Sequence, residues 1–397
     1  EPSSGILFDP ACGSGGMFIQ SGDFVNQSGM NANSTMTFYG QEKVEYNAQL
    51  CLMNMAVHGL TGVIQSGDEA HNLNGRCDYV MANPPFNVDK VKSESCESAG
   101  RLPFGMPSIN KNKEIGNANY LWISYFYSYL NAHGRAGFVM ASSSTDSQGK
   151  DKDIREKLIK SGHVDIMISV GNNFFYTKSL PCSLWFFDKG KEKAKMDKVL
   201  FIDARNYYTV VDRTLNEWSD WQLKNLNAIV WLYRGEIDKY SRLMEEYHTI
   251  LGSEETFAEQ VQVFLEKEKS LKEEAKKAVE AVEKREKKKT QEEYNVKLAE
   301  LSEMLTIAKE ANWLYEKFGD GVYVDVLGLC KAATIAEIEE KGWSLTPGAY
   351  VGVAPVEEDG VNFEERMTEI HQELLALQAE SNDLMDTISK NMKEMGL

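Results

Sequence analysis

The sequence predicts an α/β protein, a doubly wound parallel sheet followed by a helical C-terminal region. Three observations predict it. Short apolar runs alternate with helix-length segments through the first 86 residues. A glycine-rich turn joins the first apolar run to the first helix. From about residue 236 the composition shifts to long, charged, helix-forming sequence.

Ile6-Leu7-Phe8 reads as the first strand, Asp9 to Gly16 as the turn, and Met17 to Val25 as a helix. Thr35 to Gly40 is a second strand. The helix after it shows Val44, Ala48, Cys51, Met55 and His58 near one face. Gly62 to Asp68 reads as the third strand and Asp78 to Ala82 as the fourth. Residues 87–117 read as a loop rich in Ser, Gly, Pro and Asn; a loop this long is functional or disordered. Asn119 to Leu130 predicts an aromatic-rich helix. Strands follow at Gly137–Ala141, Val164–Val170, Leu184–Phe187 and Val199–Asp203, with a helix over Asp151–Ser161. The α/β part closes between 205 and 235. Leu298, Leu301, Leu305 and Ala308 then repeat as in a coiled-coil seam, but residues 283–293 are wholly polar. That break favours a helical hairpin packed on the main body over a long isolated coiled coil. Trp343 to Val353 predicts an ordered turn. The last helix, from Phe363, carries Met367, Ile370, Leu374, Leu377, Leu384 and Ile388 on one face, a stripe suited to another helix of the same chain or of a different subunit.

Composition narrows the class. Hydrophobic residues make up 42% and charged residues 26%, as in globular proteins. No apolar run is long enough to span a bilayer, and Glu1-Pro2-Ser3-Ser4 opens no basic-then-apolar leader, so no membrane partner is expected. The six Cys are scattered without a C-x-x-C pair, which fits a reducing, cytoplasmic setting. The six His are scattered too, so no metal site is expected. The net charge of −17 means that any nucleic acid must be gripped through a partner or a locally basic face.

The chemistry concentrates at strand ends. Asn83-Pro84-Pro85-Phe86 follows the fourth strand, and its prolines stop the strand on a stiff turn. An amide oxygen and a free carbonyl there can accept both hydrogens of a planar amino group, and the Phe ring offers a stacking face. The turn thus suits a nucleobase with an exocyclic amine. Gly13, Gly15 and Gly16 let a ligand approach the backbone at a helix N-terminus, although a purely structural tight turn has the same composition. Their spacing is neither the dinucleotide fingerprint nor a P-loop. Asp9 can receive a ligand's amino group. Glu42, ending the second strand, suits ribose hydroxyls, or alternatively the start of the next helix. Asp68 can accept from an adenine amine, or simply make a turn. Cys182 leads into an apolar strand and reads as a buried structural thiol rather than a nucleophile. The aromatics at 120–129 read as core, while one of Phe174, Phe175 and Tyr176 can line a pocket.

In this order, D-P-x-x-G-S-G-G, G-Q-E, G-D and N-P-P-F resemble amino-methylating DNA methyltransferases. Phe8 to Met17, Tyr39-Gly40-Gln41-Glu42 and Gly342 to Gly352 are similar to the modification (M) subunit of type I restriction-modification systems, and the resemblance runs from residue 1 to the last helix. It implies a Rossmann-like domain dependent on S-adenosylmethionine over 1–235, a charged helical region over 236–330, and a C-terminal segment for subunit assembly over 331–397. The implied reaction is methylation of the adenine N6 in double-stranded DNA, with the base flipped out. The implied cofactor contacts are Asp9, Pro10, Ala11, Cys12, Gly13, Ser14, Gly15, Gly16, Glu42 and Asp68, and the catalytic set is Asn83, Pro84, Pro85 and Phe86. The implied partners are a specificity (S) subunit, through the C-terminal helix, and a restriction (R) subunit. Members of this family carry an N-terminal helical domain and an F-Y-T-P-like segment ahead of the turn. Since this chain starts at the turn, the expectation is a fragment with impaired cofactor affinity. Two rival readings remain at this stage, a protein glutamine N-methyltransferase and an inactive scaffold that binds the S subunit.

Overall fold

The computed structural model describes residues 3–67, 72–176, 178–283, 285–354 and 363–394. Asp68, one of the expected cofactor contacts, lies outside the described residues. The first part of the chain forms β1 (Gly5–Asp9), α1 (Gly16–Gln27), α2 (Ala32–Thr35), β2 (Met36–Glu42), α3 (Glu45–Val57), β3 (Gly62–Ser66) and β4 (Cys77–Ala82). The stretch 87–117 holds β5 (Val91–Lys92), α4 (Ser93–Ser98) and β6 (Glu114–Ile115). Next come α5 (Asn119–Tyr129), β7 (Leu130–Ala141), α6 (Lys150–Lys160), β8 (Val164–Val170), β9 (Cys182–Asp188) and β10 (Lys198–Asp203). The remainder is β11 (Thr209–Val210), β12 (Asn216–Glu217), α7 (Asp220–Arg234), α8 (Ile237–Leu251), α9 (Phe257–Ala281), α10 (Lys287–Phe318), β13 (Cys330–Thr334), α11 (Ile335–Glu340) and α12 (Phe363–Glu394).

Nine strands form one sheet in the order β13-β10-β8-β9-β7-β4-β1-β2-β3. Seven of them point the same way, while β9 and β13 run antiparallel to their neighbours. The sequence predicted strands at both β8 and β9 but not the reversal. Its cause is the short connection, residues 171–181, which holds no helix. A parallel crossover needs a dozen or more residues, so β9 can only turn back beside β8. The α/β part also does not close by residue 235, because β13 joins the sheet edge beside β10.

Order at the centre of the sheet depends on Asp78. One of its carboxylate oxygens accepts the Ile6 N–H at 2.7 Å and the other accepts the Asn131 amide at 2.8 Å. It thereby ties the start of β1 to β4 and β7. A Cβ on Gly5 would stand 2.3 Å from that carboxylate, and Gly5 has φ +112°, so only glycine fits there.

Three cores cover the sheet. On one face α5, α6 and the Trp343–Val351 segment bury Phe126, Phe138, Trp185 and Phe201. On the other face α7, α8 and α10 pack over β8 and β10. A smaller core joins α1 and α3 to β1 and β2. On α3 the apolar face is shorter than its periodicity suggested: Ala48, Cys51 and Met55 are buried, whereas Val44 is 51% exposed and His58 caps the helix end in solvent. The aromatics of α5 are core, as read: Tyr120 and Phe126 are fully buried.

The hairpin expected after residue 236 is α9 with α10. A capping box starts α9, with Thr256 and Glu259 bonding each other's backbone N–H. Beyond Gln260, Ala275 is the one buried residue of α9, and burial on α10 begins at Leu305. The compact unit Glu1–Val353 includes this hairpin, β13 and the Trp343 turn. Residues 354–397 form a second unit, where α12 leaves Met367, Ile370, Leu374, Leu377, Leu384 and Ile388 exposed.

The Trp343 turn is fastened through Arg155, whose side chain is fully buried. Its guanidinium donates to the Trp343 carbonyl at 2.5 Å, the Tyr120 hydroxyl at 3.0 Å and the Ser147 carbonyl at 2.8 Å. Tyr350 stacks on Phe201 with ring centroids 4.0 Å apart. Replacing Arg155 with Leu deprives three acceptors of their donor, two of them buried, so Arg155→Leu is expected to lower unfolding stability by about 3 kcal/mol. Urea denaturation checks this, and a loss under about 1 kcal/mol refutes the fastening role.

Candidate active site

The strand order places the glycine turn and the Asn83 turn side by side. β1 lies between β2 and β4, with Leu7 opposite Tyr79 and Phe8 opposite Val80. Asp9 and Asn83 therefore leave the carboxyl ends of adjacent strands, about 5 Å apart laterally. The order reverses between β1 and β4, the switch point where open α/β sheets bind ligands.

Glu42, at the end of β2, organises the glycine turn. Its two carboxylate oxygens accept the Gly13 and Val44 N–H groups, each at 3.0 Å. Each oxygen keeps a lone pair for a hydroxyl. Gly13 has φ +51°, and a Cβ there or on Gly16 would meet nothing within 4 Å, so the turn presents open backbone. Gly15 caps α1 in the left-handed conformation without any side-chain cap, leaving first-turn N–H groups for a ligand. A Cβ on Gly15 would also stand 2.7 Å from the Cys51 Sγ beneath the turn. Ser14 is tied to α3 by the Asn54 amide, which donates to its carbonyl at 3.0 Å. Cys12 is a packing thiol; its hydrogen bond with Cys51 and its burial push its pKa far up.

Asp9 is buried, accepts the Ala11 N–H at 2.9 Å and sits close to Glu42. Burial, with Glu42 adding to it, raises its pKa from 3.8 to about 7. A buried carboxyl of this kind favours a cationic or amino partner.

On the neighbouring strand, Asn83 is exposed and its side chain bonds no described residue. Pro84 is buried and Phe86 half-buried. Asn83, Pro84, Phe86, Asn87, Phe175, Lys178 and Leu180 line a cavity of about 270 Å³. The Phe86 and Phe175 rings meet edge to face, with centroids 6.2 Å apart. Phe175 is thus the pocket residue of the three aromatics in its loop. Phe174 packs instead on Trp218, at 5.0 Å. That loop is held by Asn216, whose N–H and amide donate to the carbonyls of Asn173 and Asn172 at 2.7 and 3.0 Å. Larger hollows among α8, α9 and α10 contain none of these groups.

The sequence reading missed an asparagine clamp behind the turn. Asn87 N–H donates to the Asn119 Oδ1 at 2.9 Å, and the Asn119 and Asn117 amides donate back to the Asn87 Oδ1 at 2.9 and 3.0 Å. Asn87 has φ +55°, which asparagine tolerates better than most residues. The clamp fixes the Asn83 turn against the start of α5. Only the richness of this stretch in asparagine signalled it. Cys182 lies buried in β9, where burial raises its pKa to about 11, in keeping with a structural thiol.

Residues 1–256 match the family model described as N-6 DNA Methylase. The chain belongs to the N-6 DNA methylase family. Among relatives, the type I restriction enzyme MjaIX methylase subunit of Methanocaldococcus jannaschii is 29% identical over 405 residues, covering all of this chain and 56% of that protein. The HindI methylase subunit of Haemophilus influenzae is 26% identical over 402 residues, covering all of this chain and 70% of that protein. This methylase-family chain thus spans between about half and 70% of the length of these relatives. A type I restriction-modification methyltransferase subunit from Streptococcus thermophilus shares the fold, with TM-score 0.54, 17% identity, and coverage of 88% of this chain and 55% of that one.

Two outcomes follow for the candidate site. Protonated Asp9 stabilises the fold at low pH, and that stability is lost as pH rises from 3.8 through about 7. Asp9→Asn removes the dependence, so the ligand-free variant should be the more stable above pH 8, by at most about 4 kcal/mol, and equal near pH 4. Parallel stability–pH curves for the two proteins would rule this out. Asn119→Ala should loosen the Asn83 turn and speed amide hydrogen exchange at Asn87, whose N–H loses its acceptor; unchanged exchange there would count against the clamp.

Proposed function

We propose that this chain is the methyl-transferring part of the M subunit of a type I restriction-modification complex, acting on the N6 amino group of adenine in DNA. The observation that carries the reading is the Asn83-Pro84-Pro85-Phe86 turn. It offers an unpaired amide and an aromatic face on the strand next to the glycine turn.

The donor group fits the residues present. Gly13 and Gly16 leave open the space that a side chain would fill, first-turn N–H groups of α1 lack a side-chain cap, and Asp9 is a buried carboxyl without a basic partner among its electrostatic neighbours. S-adenosylmethionine, when bound, supplies an electrophilic methyl on a sulfonium. Asp9 would hold its amino group, the backbone of Gly13 to Gly16 its carboxylate end, and Glu42 its ribose hydroxyls.

The rest of the work falls to Asn83, Pro84 and Phe86. The adenine amine is a poor nucleophile because its lone pair is spread into the ring. The base must leave the duplex to reach the cavity, at a cost of a few kcal/mol. The Asn83 Oδ1 and the Pro84 carbonyl then accept the two amino hydrogens. This pulls the nitrogen towards a tetrahedral shape and aims its lone pair along β4's end towards the glycine turn. Phe86 stacks on the base and Phe175 closes against its edge. The surplus proton left on nitrogen departs to water at the exposed Asn83 side. Most of the acceleration is orientation rather than acid–base chemistry.

The same reading gives α12 a role. Its exposed apolar stripe suits helices of an S subunit, which would read the DNA sequence and to which the R subunit would add cleavage. The acidic charge of the chain is consistent with such delegation.

The test uses the full M subunit with its S subunit, labelled S-adenosylmethionine, and either duplex DNA or glutamine-containing protein. Label is expected in DNA as N6-methyladenine. Asn83→Ala and Phe86→Ala should each cut turnover by about 100-fold or more while cofactor affinity changes by less than about 3-fold. Label in protein, or undiminished turnover in Asn83→Ala, would sink the reading.

A further inference from the structure

We propose that the tip of the α9–α10 hairpin is a second DNA contact, a basic pad that holds the phosphate backbone roughly one helical turn from the target base. The proposal rests on the reading of DNA as substrate.

Contacts along α10 fix where the hairpin points. Glu310 accepts hydrogen bonds from the Tyr207 hydroxyl at 2.5 Å and the Gln222 amide at 3.2 Å, and Trp313 stacks on Tyr207 at 4.2 Å. Tyr207 follows the carboxyl end of β10, and Gln222 lies in the first turn of α7. Further along, the Tyr240 hydroxyl donates to the Gly319 carbonyl at 2.7 Å. Tyr240 sits in the first turns of α8, close after Arg234, which pairs with Asp165 at the start of β8 at 2.6 Å. So α10 runs from the carboxyl edge of the sheet to its amino edge. Its earlier residues therefore continue outward past the carboxyl edge, the edge that carries Asn83 and the glycine turn. From Leu305 back to Lys287 the helix extends about 27 Å. The hairpin root lies four strands from β4, about 19 Å. The tip is then on the order of 35 Å from Asn83, close to one turn of B-DNA.

The chemistry of the tip selects the partner. Lys276, Lys277, Arg285, Lys287, Lys288 and Lys289 are all exposed there, flanked by Glu273, Glu274, Glu280, Glu283, Glu286, Glu292 and Glu293, so the basic excess is concentrated at the turn, in Arg285 and Lys287 to Lys289. Glu292 and Glu293 lie 3.9 Å from Lys288 and Lys289 respectively and offset part of that excess on the α10 side. The other four cations make no ion pair with any described residue. The chain as a whole repels DNA, since it carries −17. At about 27 Å, several Debye lengths in physiological salt, that negative field no longer cancels the tip. The sequence 283–293 is wholly polar, which gives a protein partner no apolar centre at the turn, and flexible ammonium groups suit a phosphate chain.

A variant with all six tip cations changed to Gln tests the pad, because every substitution is on an exposed position remote from the cores. Binding of the full M–S complex would be measured across salt concentrations on two duplexes sharing one target site, one ending about 6 base pairs from the adenine and one extending about 25. On the long duplex the variant should bind at least about 10-fold more weakly at low salt, with the slope of log K against log salt shallower by about 3. On the short duplex the two proteins should bind and methylate alike. Equal slopes on the long duplex, with wild-type methylation intact, overturn the pad alone. Absence of wild-type methylation on both duplexes overturns the DNA reading and the pad together.

Discussion

The Asp78 carboxylate is the constraint on which the site depends. The β1–β4 pairing is short, with Leu7 and Phe8 opposite Tyr79 and Val80. Two backbone pairings alone set a register weakly. Asp78 adds a charge-assisted bond to the start of β1 and another to the start of β7, so three central strands are locked at one end. A slip of one residue would reverse which side chains face each core. It would also shift Asp9 relative to Asn83, since they lie one and three residues past the last paired residues, Phe8 and Val80. The glycine at position 5 belongs to the same device, because any side chain there would displace the carboxylate.

The two halves of the site are built on opposite electrostatic plans. The glycine-turn half is buried and acidic: Asp9 and Glu42 lie together, and burial holds the Asp9 proton near neutrality. That arrangement costs stability in the empty protein at neutral pH, and a positively charged ligand relieves it. A cationic ligand, as proposed, would recover that cost on binding. The Asn83 half is open, and its one charged lining residue, Lys178, is exposed. Its other groups are uncharged, so on the proposed reading a base would enter with little ionic penalty, and selectivity would come from hydrogen-bond geometry. Rigidity there comes from behind, through the asparagine clamp on one side and the Asn216 anchor of the Phe175 loop on the other.

What could be read from the sequence follows the range of the interactions. The glycine turn, Glu42 and the Asn83 turn are local: a strand, its stop and its turn residues stand within ten positions, and proline and glycine announce them. The same holds for the aromatic face of α5 and the terminal stripe of α12. What escaped was non-local. The reversal of β9 depends on the missing crossover helix, and β13 reaches the sheet only after the four helices α7 to α10. The asparagine clamp joins positions about thirty residues apart, and in sequence its members look like ordinary loop residues. On α3, periodicity overran the real contact because the sheet edge ends there: β3 is the last strand, so Val44 and His58 find nothing to pack against.

The awkward charge of the chain becomes intelligible once it is placed. An acidic chain is a poor general DNA binder, and a cleft lined by Asp9 and Glu42 repels phosphate further. On the proposed reading, such a protein would gain by keeping its own DNA contacts few and distant from the cleft. The base alone, an uncharged ring, would then enter the pocket, while phosphates would be met elsewhere. Screening makes the separation effective, because fields from groups more than two Debye lengths apart scarcely add in physiological salt. A stiff two-helix arm is a cheap way to achieve that distance. Each residue along it advances about 1.5 Å, and alternating charges keep it soluble without a core of its own. The wholly polar stretch that interrupts the heptads is, on this view, the reason the arm exists: the seam holds the helices together up to the point where the cations begin.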